Sequence, residues 1–154
     1  EGFTPSLVAK RLSGGRPMTV VTPSLPIATI LAAQPGVKPI ILGGRVRANT
    51  LGVADAWASE MLSRLTIDLA ILGANAVSID RGMSTPDPAV AVIKRAAVEA
   101  SIRRVFIGAH DKFGLDSFVR FAEVADFELL ITGRELPVTR ARAFRGAGAS
   151  LLRV

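Results

Sequence analysis

The sequence contains no cysteine and no tyrosine, one histidine, one tryptophan and only 5% aromatic residues. Without cysteine there is no disulfide scaffold, no thiolate metal site and no cysteine nucleophile. A single histidine removes multi-histidine metal centres as well, so neither a metal nor a cofactor is expected. With few aromatics, the core is expected to consist of Ala, Val, Leu and Ile, as in α/β proteins with a fully covered sheet. The longest apolar runs, such as Ile67–Ala74, already contain Asp68 and fall well short of the ~18 residues of a membrane span. Nothing resembles a signal peptide, and no membrane partner is expected. There is no G-x-G-x-x-G after the first strand and no G-x-x-x-x-G-K-S/T, so the nucleotide fingerprints are missing. A G-x-S-x-G nucleophile elbow is missing too.

What is present has ordinary globular proportions. The 154 residues are 49% hydrophobic and 21% charged, which argues against disorder and fits one domain. The first residue is Glu1, not Met, so the sequence reads as a fragment of a longer protein. Its 19 basic and 13 acidic residues leave a net charge of +6. The densest basic stretch, Arg134 to Arg153, sets five arginines against Glu135. Lacking interleaved aromatics or a recognition motif, it reads as a solvated helix face or an inter-subunit surface. An anionic small ligand is the other simple consequence of a positive field.

Short apolar runs alternate with segments of helical period, which predicts an α/β fold with a mainly parallel sheet covered by helices on both faces. Strands are expected at Met18–Thr22, Pro39–Leu42, Leu69–Gly73, Arg104–Gly108, Glu128–Thr132 and Ser150–Val154, with a short seventh at Phe118–Phe121. Helices are expected to start at Thr4-Pro5, Ser24, Asp55, Thr85-Pro86-Asp87-Pro88 and Pro137. Each start joins a capping side chain or a proline to an apolar periodic stretch. Gly14-Gly15 should stop the first helix; Gly146 and Gly148 should stop the last. Nothing reads as a repeat or a linker.

Open α/β sheets bind ligands beyond the carboxyl ends of their strands. The candidates are therefore Gly2, Phe3, Thr4, Thr22, Ser24, Gly43, Gly44, Gly73, Asn75, Ser84, Thr85, His110, Asp111 and Lys112. Glycines, hydroxyls and one lysine suit an anion held by backbone N–H groups and a counter-charge, as a sugar phosphate requires. Lys112 is the residue expected to supply that charge. Each candidate also has a plainer reading. Thr4 and Ser24 are natural N-caps, and Gly43-Gly44 suits a turn needing positive φ. His110 can be a hydrogen-bonded structural residue, and Lys112 a solvated one. Lys94, inside an otherwise apolar helix, joins the candidates but equally suits a snorkelling surface lysine. Asp111 is the only acid at these strand ends, so proton transfer has few bases and no catalytic residue is assigned.

Taken in order, several segments resemble the effector-sensing half of DeoR-family bacterial transcription regulators. They are Met18-Thr-Val-Val-Thr-Pro-Ser-Leu-Pro-Ile-Ala, Ile40-Ile-Leu-Gly-Gly-Arg-Val-Arg, Ala70-Ile-Leu-Gly-Ala-Asn, Arg81-Gly-Met-Ser-Thr, His110-Asp-Lys-Phe-Gly and Leu129-Leu-Ile-Thr. The resemblance covers essentially the whole chain. It implies a Rossmann-like fold related to ribose-5-phosphate isomerase and the CoA transferases. It also implies a phosphorylated sugar or related metabolite as effector, and cytoplasmic localisation. DNA would be bound only through an N-terminal winged helix-turn-helix that lies outside these residues, and ligand binding would release it. Residues 1–154 would form the effector-sensing and oligomerisation domain of a homodimer or homotetramer. Glu1-Gly2-Phe3-Thr4 would represent the family's Asp-x-Gly-Thr-Thr motif, with the preceding strand outside the sequence.

Four positions depart from the family pattern. Thr-Asn-Ser becomes Thr22-Pro23-Ser24, and proline removes both an amide side chain and a backbone donor. A threonine is replaced by Phe3, and two aspartates by Ala109 and Gly133. The alternatives are a sugar-phosphate isomerase-like enzyme and an oligomerisation module with a vestigial pocket. For the enzyme, Asn75-Ala76-Val77 stands where such isomerases carry acids.

Overall fold

The computed structural model describes residues 2–12 and 16–154; the expected Gly14-Gly15 stop lies outside them. In chain order the elements are α1 (Phe3–Ala9), β1 (Met18–Thr22), α2 (Leu25–Ala32), β2 (Val37–Ile41), α3 (Ala56–Ser63), β3 (Ile67–Leu72), β4 (Ala76–Ser78) and β5 (Gly82–Thr85). There follow α4 (Pro88–Glu99), β6 (Ser101–Ile107), β7 (Val119–Ala122), β8 (Leu129–Thr132), α5 (Val138–Gly146) and β9 (Leu151–Arg153). Single 3-10 turns lie at His110–Lys112 and Val124–Asp126.

Three helices start where their capping residues predict. The Ser24 side chain accepts from Ile27 N, Asp55 from Trp57 N and Ala58 N, and Asp87 from Ala89 N and Val90 N. Each satisfies donors that the first helical turn leaves without intrahelical partners. Of the two starts offered by Thr85-Pro86-Asp87-Pro88, the chain uses the second. The first helix begins differently from the expectation. Its N-cap is Gly2 at φ 115°, without a side-chain cap, and Thr4 lies inside the helix. Glycine enters that backbone region without strain, and Pro5 is tolerated in the first turn because its N–H would have no partner there.

Six of the seven expected strands pair in parallel, but they do not make one sheet, and the short seventh pairs antiparallel. The pair β1–β2 stands apart from a four-stranded sheet ordered β3-β6-β8-β9, and every neighbouring pair in both is parallel. A third sheet, ordered β4-β5-β7, is antiparallel. The expectation missed β4 and β5 and left β7 without its partners. Ala-Val-Ser and Gly-Met-Ser-Thr are too short and too poor in branched residues to read as strands. Their pairing with β7 makes them strands.

The helices cover these sheets as the alternation requires. α2 packs on β1 and β2, α5 on β9, and α4 on α3, β3, β6, β5 and β7. Two hydrophobic clusters are essentially aliphatic, one around Leu42, Val53, Ala58, Leu62 and Ile93, the other around Ile27 and Leu31. The third departs from the expected composition. It gathers Phe106, Phe113, Phe121, Phe127 and Phe144, so most of the few aromatics are spent in one place. Edge-on ring pairs Phe106–Phe113 at 5.7 Å and Phe113–Phe144 at 5.2 Å have the geometry that aromatic quadrupoles favour. The basic C-terminal stretch is also partly spent internally. Arg140 donates to Phe113 O, Arg145 to Leu151 O and Arg153 to Arg134 O. No helix among the described residues is long and apolar enough to cross a membrane.

Candidate functional site

The carboxyl ends of β1, β3 and β6 open into a cleft of about 780 Å³. At the end of β1, the buried Thr22 Oγ1 accepts from Ser24 N at 3.2 Å. That bond fixes the turn from which Ser24 caps α2. The loop after β2 folds back over this turn. Leu25 N donates to Leu51 O, and Val53 N to Pro23 O. Arg47, Asn49 and Thr50 thereby come to line the cleft.

At the end of β3, Gly73 faces Ile107 and Pro5. A Cβ there would meet Ile107 O at 3.5 Å and Pro5 Cγ at 3.7 Å. Asn75 follows, its Oδ1 accepting from Thr85 Oγ1 at 3.0 Å. The third wall is α4. Asp87, Val90 and Lys94 all line the cleft, a spacing of i, i+3, i+7 that puts them on one helix face. Lys94 Nζ crosses to Gly73 O at 2.5 Å and lies 5.3 Å from the centre of the Phe121 ring. This is not a lysine extended into solvent. Charge at the rim is paired: Arg47 Nη2 lies 2.6 Å from Asp87 Oδ2, and Lys112 Nζ lies 3.1 Å from Asp111 Oδ2.

Of the candidates named from sequence, Gly2, Phe3, Thr4, Ser24, Gly73, Asn75, Thr85, Lys94, Asp111 and Lys112 line the cleft. Thr22, Gly43, Gly44, Ser84 and His110 lie elsewhere. Gly43 N points at Met61 Sδ, and Gly44, at φ 136°, packs against the Asp55 carboxylate. Ser84 sits within β5, where its hydroxyl accepts from Ser117 N. His110 is exposed on its 3-10 turn. Of the four departures from the family pattern, Phe3 and Ala109 line the cleft. Strand-end reasoning overlooked Arg47, Asn49, Thr50 and Asp87. The available signal was the pair of basic residues in Gly43-Gly44-Arg45-Val46-Arg47, but only long-range folding of the loop brings Arg47 to the site.

The neighbouring turn is electrostatically set as well. The Asp55 carboxyl is held below its ordinary pKa of 3.8 by hydrogen bonds from Arg45 N and then Ala58 N, since such bonds favour the ionised form. Among the described residues, no group of three or more His, Asp or Glu side chains is placed to hold a metal ion.

Comparison with known proteins gives a consistent result. The DeoR C terminal sensor domain family matches residues 1–134. The glycerol-3-phosphate regulon repressor of Haemophilus influenzae is 30% identical over 132 residues, covering 86% of this chain and 51% of that protein. An uncharacterised HTH-type transcriptional regulator of Escherichia coli, YgbI, is 34% identical over 152 residues, covering 98% of this chain and 59% of its own length. The HTH-type transcriptional repressor GlcR of Bacillus subtilis is 28% identical over 116 residues, covering 75% of this chain and 45% of that protein. The chain thus spans about half the length of the curated relatives it matches.

Proposed function

The chain belongs to the DeoR C-terminal sensor domain family, and on that basis we propose that its cleft seats a phosphorylated small metabolite whose binding controls attachment to DNA. The family's fold and its repressor relatives support a sensing role. Residues 1–154 would then be an effector-sensing and self-associating unit of a cytoplasmic repressor. DNA would be contacted only by a winged helix-turn-helix outside them. Three relatives are named for the glycerol 3-phosphate regulon, which makes polyol and sugar phosphates the first class to test.

One observation carries the reading. Lys94 holds its ammonium inside the cleft, against Gly73 O at 2.5 Å, at the strand ends where such folds bind ligands. A partly desolvated cation there attracts an anion more strongly than one in water. We assign the larger part of the counter-charge to Lys94, whose ammonium is held at the end of β3, and a smaller part to Lys112, the expected residue, which pairs with Asp111 at the rim. Thr4, Ser24, Asn75 and Thr85 supply the polar groups for the rest of the molecule.

A thermal-shift panel tests the proposal. Sugar and polyol phosphates are compared with their dephosphorylated counterparts. A ligand at 100 times its Kd stabilises by about 2.7 kcal/mol, or roughly 5–11 °C for a domain of this size. If no phosphorylated compound shifts the melting point, or the neutral counterparts shift it equally, the assignment fails. Self-association, motivated by Trp57 and Phe118 at 76% and 78% exposure, should appear in light scattering as a dimer or tetramer. A monomer at high concentration would refute that part.

The isomerase alternative receives less support. Asn75 presents an amide already bonded to Thr85. Among the described residues, the acids lining the cleft are Asp87 and Asp111, and each is held in an ion pair.

A further inference from the structure

An anion held at Lys94 gives no role to the ion pair at the rim, where Arg47 in the loop after β2 meets Asp87 at the start of α4. Resting on the reading of the cleft as an anion site, we propose that Arg47 is a second residue that reads the ligand's charge. A ligand anion would take its guanidinium from Asp87, and the exchange would remove one tie between the loop and α4.

Four features of the pair suit an exchange better than a fixed strut. First, the side chains of Arg47 and Asp87 are 25% and 34% exposed, so water and a ligand both reach the pair. Second, Asp87 does not depend on Arg47 for its position. Its Oδ1 accepts from Ala89 N at 2.9 Å and from Val90 N at 3.4 Å, while Oδ2 faces Arg47 at 2.6 Å. The helix cap therefore survives when the guanidinium leaves. Third, the backbone of Arg47 is anchored within its own loop. Arg47 N donates to Gly52 O at 2.9 Å, and Leu51 N to Arg47 O at 2.8 Å. The turn closes through Leu51 at φ 53°, an uncommon conformation for a residue other than glycine. These loop bonds do not involve the Arg47 side chain. Fourth, a guanidinium offers a planar fork of donors that matches phosphate or carboxylate oxygens. Asn49 and Thr50, beside it, add polar groups on the same wall.

The exchange predicts opposite effects from the two partners. Asp87→Asn keeps a side chain that caps a helix as well as aspartate does, and it removes a charged competitor for Arg47. Calorimetric titration with glycerol 3-phosphate should show Asp87→Asn binding up to about fivefold tighter than wild type. Arg47→Gln should bind about ten- to a hundredfold more weakly, with Arg47→Lys in between because it keeps charge but loses the fork. Thermal melts without ligand confirm that each variant is folded before it is titrated. If the pair is only a strut, both changes lower the melting point and weaken binding together. Unchanged or weaker binding by Asp87→Asn, or unchanged binding by Arg47→Gln, overturns the role of Arg47 and leaves the Lys94 assignment standing. If the wild type binds neither glycerol 3-phosphate nor any other phosphate of the panel, both are overturned; if it binds another member, that member takes the place of glycerol 3-phosphate in the titration.

Discussion

Replacing Lys94 by methionine separates ligand binding from stability more cleanly than any other change in the cleft. The substitution keeps the length and apolar stem of the side chain and removes only the ammonium. In the free protein that ammonium bonds to Gly73 O at 2.5 Å and faces the Phe121 ring at 5.3 Å. A hydrogen bond to a charged group contributes ~1.5–3 kcal/mol, and a cation over a ring adds ~0.5–1 kcal/mol. Against these stands the cost of keeping a half-buried cation away from water, which is of similar size and disappears with the charge. Gly73 is partly exposed, so water can take over its carbonyl. The expected net change in stability is within about 1 kcal/mol, or 2–4 °C in Tm. Binding has no such compensation. A phosphate that loses its charged donor should bind about ten- to a hundredfold more weakly. Melting curves and calorimetric titration with the strongest binder from the phosphate panel measure the two quantities separately. Affinity within twofold of wild type would remove Lys94 from the site. A fall of more than about 10 °C in Tm would show that the lysine is chiefly structural.

Lys112→Ala should cost only about two- to fivefold in the same titration, because Asp111 already shares its charge and exposed pairs contribute little; a loss as large as that of Lys94→Met would reverse the ranking. Gly82→Ala should destabilise strongly in urea or thermal unfolding, since its φ is +72° and a Cβ would lie 2.3 Å from Ala122 O. Left-handed strain alone costs ~1–2 kcal/mol. Gly36→Ala, at φ +78° with nothing within 4 Å of the added carbon, isolates that strain, so equal effects of the two changes would deny the clash. Asp55 should contribute an acid limb to the stability profile. Its folded pKa is depressed below 3.8 by the bonds from Arg45 N and Ala58 N, so its contribution is present above the unfolded value and is lost as pH falls below it through the folded value. Melting temperatures of Asp55→Asn against pH should fall less steeply below about pH 4 than those of wild type, and parallel curves would refute the linkage.

Local chemistry made much of the fold legible. Ser24, Asp55 and Asp87 mark helix starts because their side chains meet the backbone donors two or three residues on, a relation that the sequence contains in full. The parallel strands are legible for the same kind of reason, as apolar runs bounded by turns. What was not legible depends on partners distant in the chain. Thr4-Pro5 carries a helix-start signature, yet the backbone turns in two residues earlier, at Gly2. β4 and β5 are strands only because β7 pairs with β5, with an irregularity at Met83/Ser84. The phenylalanines, scattered from 106 to 144, meet only after the sheets assemble.

The same division explains which part of the site could be read in advance. A residue such as Gly73 or Asn75 sits at the end of its own strand, so finding the strand finds the residue. Arg47 reaches the cleft only because Leu51, Gly52 and Val53 bond back to the start of α2 and to each other's neighbours. The cleft then collects its walls from three sheets, with Ser24 after β1, Gly73 after β3 and Thr85 in β5. Among the polar ties between those walls, Lys94 to Gly73 and Asp87 to Arg47 start from α4. On the proposed reading, a ligand anion bound between these cations would compete with the two ties as it binds. Occupancy would thus be converted into a change in how α4 is held against the loop after β2 and the end of β3. A static binding pocket has no need of ties that its ligand must replace. A sensor does, because only a difference in contacts between the free and the bound state can shift a conformational equilibrium.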